Sequence, residues 1–141
     1  MMDGTFGSTS LPALERSLQY MAARQKLLAG NIANIETPGY RPTDVAPAAF
    51  QQALRDALDQ GRVDQQGGLS FDDSSPVAFN ESGAELKPQL LAENIMFHDG
   101  NDRSVERLMQ KMQENVYSFR VASQLLRNQF ELINTAIRER M

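Results

Sequence analysis

The sequence predicts a mainly α-helical protein with a long helix near each end, a short helix between them and a loop-rich middle segment. Near both ends of the chain, apolar residues recur at alternating spacings of three and four, which is the period of an amphipathic helix. The segment between them is rich in Gly, Ser, Asp and Gln and thin in apolar residues. Because each end helix has one apolar face, we expect the two to pair as an antiparallel, coiled-coil-like bundle.

The N-terminal helix is predicted over residues 11–36, after a Gly-, Ser- and Thr-rich segment at 1–10 that we expect to be flexible. Ser10 is a candidate N-cap, and Pro12 is tolerated in a first turn. All members of the repeating stripe but one are apolar. The stripe consists of Leu11, Leu14, Leu18, Met21, Gln25, Leu28, Ile32 and Ile35.

The middle of the chain is predicted to hold a turn over 37–44, a short helix over 45–60 and a loop-rich segment over 61–101. Gly61 is suited to the left-handed position that follows a helix. The apolar face of the short helix is formed by Phe50, Ala53, Leu54, Ala57 and Leu58.

The C-terminal helix is predicted over 102–141, where neither Gly nor Pro interrupts the pattern. About 35 helical residues would form a rod of roughly 50 Å. A compact domain of this chain length would be only about 37 Å across, so the helix should protrude or pack into an oligomer. The stripe consists of Met109, Met112, Val116, Phe119, Ser123, Leu126, Phe130, Ile133 and Ile137.

Composition excludes several classes of function. The net charge of -4 argues against a nucleic-acid partner, because phosphate binding favours a basic surface. The chain has no cysteine, so disulfides and thiolate metal sites are absent. No segment approaches the roughly 20 apolar residues of a membrane span. The N-terminus lacks the pattern of a secretory signal, which leaves retention in the cytoplasm or export by another route.

No catalytic constellation stands out, and we expect no enzyme activity, cofactor or small-molecule substrate. His98 is the single histidine and lies beside Asp99 in a turn, where it is expected to be solvated. Asp72 and Asp73 are adjacent and should project in different directions as part of an acidic loop. No phosphate-binding loop accompanies Gly67-Gly68.

The most informative stretch ends the N-terminal helix. Gly30 and the two asparagines of Asn31-Ile32-Ala33-Asn34 are mediocre helix formers, and both amides fall on one side, where they could bind neighbouring backbone. Thr37-Pro38-Gly39-Tyr40 fits a type II turn, with Pro second and Gly third. A helix stop explains Pro38 and Gly39, but it does not explain two asparagines in the last turns.

In these eight motif residues the chain resembles the flagellar rod, hook and hook-associated axial proteins, whose N-terminal helix runs into an Asn-Ile-Ala-Asn…Thr-Pro-Gly-Tyr segment. Gly30 stands where that family usually has Asn. The short length points to the small proximal rod subunits of that family. The turn at Phe97-His98-Asp99-Gly100-Asn101 resembles one of two sister proteins among them, and the other is the near alternative.

The resemblance implies a structural subunit of the proximal rod of the flagellar basal body, exported unfolded without a cleaved signal and assembled in the periplasm. It also implies other rod subunits, the rod-base adaptor, the inner-membrane ring and the export gate as partners. Packing would use an assembly seam on both end helices, and we expect the free subunit to be poorly ordered. The seam consists of Leu14, Leu18, Met21, Leu28, Ile32, Met112, Val116, Phe119, Leu126, Phe130 and Ile133.

A different class of function stays open at this point. A soluble helical binding module or an export chaperone could use the same apolar stripes to hold a partner helix in a groove. Such a module has no evident reason to carry Thr37-Pro38-Gly39-Tyr40. An enzyme is a distant third possibility and would need carboxylates that converge on His98.

Overall fold

The computed structural model describes residues 3–65, 67–91 and 101–140, with side chains for 10–65, 67–91 and 105–140. This part of the chain contains helices α1 (Asp3–Ala33), α2 (Pro47–Gln60) and α3 (Asn101–Glu139), and strands β1 (Thr43–Asp44), β2 (Val77–Asn80), β3 (Gly83–Leu86) and β4 (Gln89–Leu90). The prediction of a mainly α fold with a long helix near each end is confirmed. Of the turn predicted at 97–101, residues 97–100, with His98, lie outside the described residues, and Asn101 is the first residue of α3.

Helix α1 begins at Asp3, so the prediction of a flexible segment at 1–10 is wrong from residue 3 onward. Ser10 is therefore an interior residue and not an N-cap, and Pro12 lies in the third turn. Each Gly or Ser costs no more than about 1 kcal/mol in a helix interior, and adding a turn to an existing helix is easier than starting one. The weak formers near the N-terminus thus extend a helix that the later residues stabilise.

Helix α2 starts at Pro47, whose fixed φ suits a first helical position. It ends at Gln60 and is capped by Gly61, which has a φ of 60° and donates its backbone N–H to the carbonyls of Ala57 and Leu58. Phe50 and Ala57 are the buried residues of its inner face.

Helix α3 contains 39 residues and is therefore about 58 Å long. It packs along α1 in the most extensive contact between any two elements of the described chain. Its buried positions lie in the first two thirds, and every residue from Phe130 to Arg140 is exposed. The C-terminal part of this helix extends past the rest of the described subunit.

The middle segment forms two small sheets that the sequence did not predict. Strand β1 pairs antiparallel with β4, and β2 pairs antiparallel with β3 in a hairpin. Val63 and Leu69 form an additional isolated bridge. The segment predicted to be loop-rich is thus folded back on α1.

A core of buried side chains joins this middle segment to α1. It consists of Tyr20, Val45, Phe50 and Val77, with Phe71 and Phe79 packed against it. The rings of Tyr20 and Phe50 are stacked with centroids 4.1 Å apart, and those of Phe71 and Phe79 lie 4.7 Å apart. The chain therefore has a core that does not require a neighbouring subunit.

Arg16 fixes the outer part of the middle segment to α1. Its Nε donates to the carbonyl of Leu69 at 3.1 Å, and its Nη2 lies 2.7 Å from Oδ2 of Asp64. The guanidinium also covers the ring of Phe79, with Cζ 4.6 Å from the centroid. Arg16, which lies outside the predicted apolar stripe, thus contacts the middle segment in three ways.

Candidate functional site

Asn31, near the end of α1, binds the segment that follows the reversal of the chain. Asn31 is fully buried, and its Nδ2 donates to the carbonyl of Thr43 at 2.6 Å. Its Oδ1 accepts from the backbone N–H of Thr43 at 3.3 Å and from the hydroxyl of Tyr40 at 2.8 Å. The amide therefore satisfies both backbone groups of one residue, as a neighbouring β-strand would.

The second asparagine of the motif has a local role. Asn34 donates its Nδ2 to the carbonyl of Gly30 at 2.9 Å, and its Oδ1 accepts from the hydroxyl of Thr37 at 3.4 Å. The backbone N–H of Tyr40 donates to the carbonyl of Thr37 at 3.1 Å, and Gly39 has a φ of 79°. With Pro38 second and Gly39 third, this is a type II turn.

In the structure these motif residues form a reversal of the chain, and they do not all lie on the surface. Ile32 is half-buried, whereas Ala33, Thr37, Pro38 and Gly39 are exposed. The motif thus sets the path by which the chain leaves α1 and enters β1.

A buried ion pair strengthens the same junction. Nε and Nη2 of Arg24 donate to Oδ1 and Oδ2 of Asp44 at 3.0 and 2.8 Å. The side chains are 5% and 3% exposed. Burial alone would lower the pKa of Arg24, but the hydrogen bond and charge of Asp44 outweigh it, so the pKa is raised. Sequence reasoning missed this pair because nothing in the spacing of Arg24 and Asp44 marks them as partners.

Tyr20 completes the junction. Its hydroxyl donates to the carbonyl of Val45 at 2.6 Å. Burial raises the pKa of this phenol above its ordinary value, the charge of Arg24 opposes the shift and that of Asp44 adds to it. The group is therefore a neutral hydrogen-bond donor at physiological pH.

The predicted assembly seam is divided between buried and exposed environments. Its α1 members are covered: Leu28 is fully buried, and the other four are half-buried. On α3, Phe119, Phe130 and Ile133 are exposed by 39%, 52% and 39%. The half-buried members are Leu14, Leu18, Met21, Ile32, Met112, Val116 and Leu126.

The centre of the buried face of α3 differs by one residue from the predicted stripe. The deepest positions are Leu108, Asn115 and Ala122, each one residue before a predicted position. The apolar stripe is wider than the line of contact with α1, and its outer residues remain in solvent. The periodicity identified the correct side of the helix but not its centre.

A second apolar stripe lies on another side of α3. Tyr117, Val121, Leu125 and Leu132 follow one another at intervals of four, four and seven residues, and each is at least 50% exposed. Their spacing places them on one face of the helix, about 120° away from the buried centre. The sequence contains these apolar residues, but the stronger stripe on the α1 side obscured their periodicity.

Neither a metal site nor a membrane span is found in the part of the chain that the structure describes. No group of His, Asp and Glu there could hold a metal ion. No described helix combines the length and apolarity needed to cross a bilayer. Asp72 and Asp73 are exposed, and Oδ1 of Asp72 accepts from the backbone N–H of Ser74 at 3.2 Å within a turn. These carboxylates do not converge on a site.

Fold and surface together define a class of protein: a mainly helical protein with more apolar surface on α3 than its own chain covers. Comparison with known proteins specifies the class further. The chain is 24% identical over 132 residues to the flagellar basal body rod protein FlgB of Borrelia hermsii, covering 92% of this chain and 96% of that protein. It is 38% identical over 53 residues to FlgB of Yersinia ruckeri, covering 38% of this chain and 36% of that protein.

The resemblance indicated by the Asn-Ile-Ala-Asn and Thr-Pro-Gly-Tyr segments is thereby confirmed. The chain is similar to FlgB-type flagellar rod proteins along nearly its whole length. No protein-family model matches the chain. No solved structure matches it either.

Proposed function

We propose that this protein is a structural subunit of the proximal rod of the bacterial flagellar basal body, and that it polymerises through its terminal helices. The observation that carries the proposal is the apolar surface of α3. Nine large apolar side chains of this helix, between Met109 and Ile137, are at least 39% exposed. Contiguous apolar surface of this kind is uncommon on monomeric proteins and marks interaction sites.

The arrangement of this surface suits packing on more than one side. Phe119, Phe130 and Ile133 lie toward the α1 side of the helix, and the stripe of Tyr117, Val121, Leu125 and Leu132 lies on another face. Each Å² of apolar area that neighbouring subunits cover would contribute roughly 25 cal/mol. Two apolar faces on one protruding helix allow each subunit to contact more than one neighbour, as a helical array requires.

The mechanism follows from interlocked helices. Torque would pass along the rod because each α3 is held between neighbours, so that no subunit rotates alone. The partners we propose are further copies of this chain, the rod subunits FlgC and FlgF, the rod-base adaptor FliE, the inner-membrane MS ring and the flagellar type III export gate. The subunit would reach the periplasmic rod through that gate.

The sister rod protein FlgC was the near alternative from the sequence. Both relatives reported above are FlgB proteins, so FlgC is not favoured. A binding module or export chaperone is not favoured either, because the relatives are rod proteins. The core around Tyr20 and Phe50 also changes the expectation of a poorly ordered subunit. We propose that α1 and the middle segment fold within one subunit and that the end of α3 becomes covered on assembly.

Deletion of the gene from its flagellated host, followed by electron cryo-tomography of the basal bodies, tests the proposal. We expect the inner-membrane ring to remain and the rod to be missing, with the rod and swimming restored by the gene on a plasmid. A complete rod in the deletion strain would refute the proposed function.

A further inference from the structure

The most deeply buried residues of α3 occupy the same position in successive heptads. Leu108, Asn115 and Ala122 are 2%, 3% and 6% exposed and lie seven residues apart. Two are apolar, as expected for a helix that packs along another helix, and the central one is polar. A buried amide at such a position costs free energy unless it is hydrogen-bonded.

The amide of Asn115 finds its partners on α1. Its Nδ2 donates to the backbone carbonyl of Met21 at 2.9 Å and to Oε1 of Gln25 at 2.8 Å. Gln25 is the only polar member of the eight-residue stripe on α1. The polar member of each helix's contact line is therefore placed against the polar member of the other.

We propose that Asn115 and Gln25 determine the register in which α1 and α3 pack. A shift of one heptad would place Asn115 against Leu14 and Leu18, or against Leu28 and Ile32. None of these side chains has a hydrogen-bond acceptor, and Gln25 would then face Leu108 or Ala122. Each shifted register separates the buried amide of Asn115 from the half-buried amide of Gln25 and loses their mutual hydrogen bond, whereas the observed register joins them.

The apolar contacts distinguish these registers less sharply than the amides do. The α1 stripe repeats Leu, Met and Ile, and eight of nine positions of the predicted α3 stripe are apolar, so a shift by seven residues replaces most apolar contacts by other apolar contacts. A single buried polar position is known to fix the register of paired helices for this reason. The inference concerns one chain and does not depend on the proposed function.

Spin-label distances in the full-length protein can test this inference. The chain has no cysteine, so Ala22→Cys on α1 and Arg127→Cys on α3, both at exposed positions and offset from each other along the helix axis, introduce the only thiols. A shift of one heptad moves α3 by about 10 Å along α1, which pulsed electron resonance resolves. With Asn115 and Gln25 intact, we expect a single distance.

Replacing both amides by leucine, Gln25→Leu with Asn115→Leu, should add a population at a shifted distance. We expect this population to rise by roughly tenfold or more, because the cost of separating the amides is removed. The melting temperature should stay the same or rise, since two apolar residues replace a buried polar pair. A single unchanged distance would overturn the proposal, and so would unfolding of the double variant.

Two further variants separate polarity from packing. Exchange of the amides, Gln25→Asn with Asn115→Gln, should preserve the single distance, because both polar positions remain opposite each other. An apolar exchange in the same interface, Met21→Leu with Leu108→Met, should preserve it too. A spread of distances in either variant like that of the double leucine variant would show that side-chain size sets the register, and would overturn the proposal.

Discussion

The guanidinium of Arg24 and the carboxylate of Asp44 form a two-point ion pair in which neither side chain is more than 5% exposed. The pair ties the middle of α1 to β1. Because charges are costly to bury, each partner depends on the other. The junction between the long helix and the middle segment therefore tolerates loss of the whole pair better than loss of one member.

Asp44→Asn should destabilise the protein by about 3 to 5 kcal/mol, because it leaves the Arg24 guanidinium buried without a counter-charge. The amide can still accept from the N–H of Val45, so the change isolates the charge. Urea unfolding followed by circular dichroism gives the free energy. The control is Asp64→Asn, where the carboxylate is 30% exposed and Arg16 keeps its bond to Leu69. Equal losses in the two variants would contradict the argument from burial.

Asn31→Ala should cost about 2 to 3 kcal/mol, because it removes the bonds to both backbone groups of Thr43 and to the Tyr40 hydroxyl in a buried place. Asn34→Ala is the matched change within the same motif. Asn34 bonds only inside its own turn, so about 1 kcal/mol or less is expected there. The same urea experiment compares them. If Asn34→Ala were the more harmful change, the role assigned to Asn31 would be wrong.

Alkaline pH should weaken the fold through Tyr20. Its pKa is raised in the folded protein, so the unfolded state releases the phenolic proton first, and the stabilisation is complete below pH 10.0 and lost as the pH rises further. Tyr20→Phe should remove this pH dependence. At neutral pH it should lower the free energy of unfolding by about 1 kcal/mol, because the hydrogen bond to the carbonyl of Val45 is lost. Above the ordinary pKa of Tyr20, the free energy of unfolding of the native protein should fall by about 1.4 kcal/mol per pH unit more than that of the variant. Parallel pH profiles of unfolding free energy would disprove this.

Phe119→Asp and Phe130→Asp should abolish rod assembly and swimming while leaving export and the melting temperature of the free subunit nearly unchanged. Both side chains are already exposed in the subunit, but an unpaired carboxylate in an apolar contact between subunits would cost several kcal/mol. Leu126→Asp should also block assembly, with some loss of subunit stability because Leu126 is half-buried. Gln113→Asp, at an exposed polar position, is the control and should swim normally. Normal motility of Phe119→Asp would argue against the seam.

The periodicity of apolar residues predicted the long helices because leucine, methionine and phenylalanine mark one side of each. It could not predict the second buried face of α1, since that face is formed by Arg16, Tyr20 and Arg24. Arginine at helical spacing usually indicates a solvated face. Here the guanidinium groups are covered because the carboxylates of Asp64 and Asp44 and the backbone carbonyl of Leu69 bind them.

The short strands could not be predicted from the sequence for a related reason. Strand β1 has two residues and owes its position to the side chain of Asn31, which the sequence presents only as a poor helix former. The motif itself was visible, and so was its capacity to bind backbone. Which backbone it binds depends on contacts between residues 12 positions apart, and local spacing does not encode these.

The unequal exposure of the two long helices has a consequence for genetics. From Ser10 to Ala33, the exposed positions of α1 are small or charged, whereas α3 exposes large apolar side chains over most of its length. Random substitutions should therefore fall into two separable groups. Those in α1 would reduce the amount of protein in the cell, and those in the last third of α3 would yield normal amounts of a protein that cannot join its neighbours. A screen that scores abundance and swimming independently would trace the boundary between the two groups along the chain.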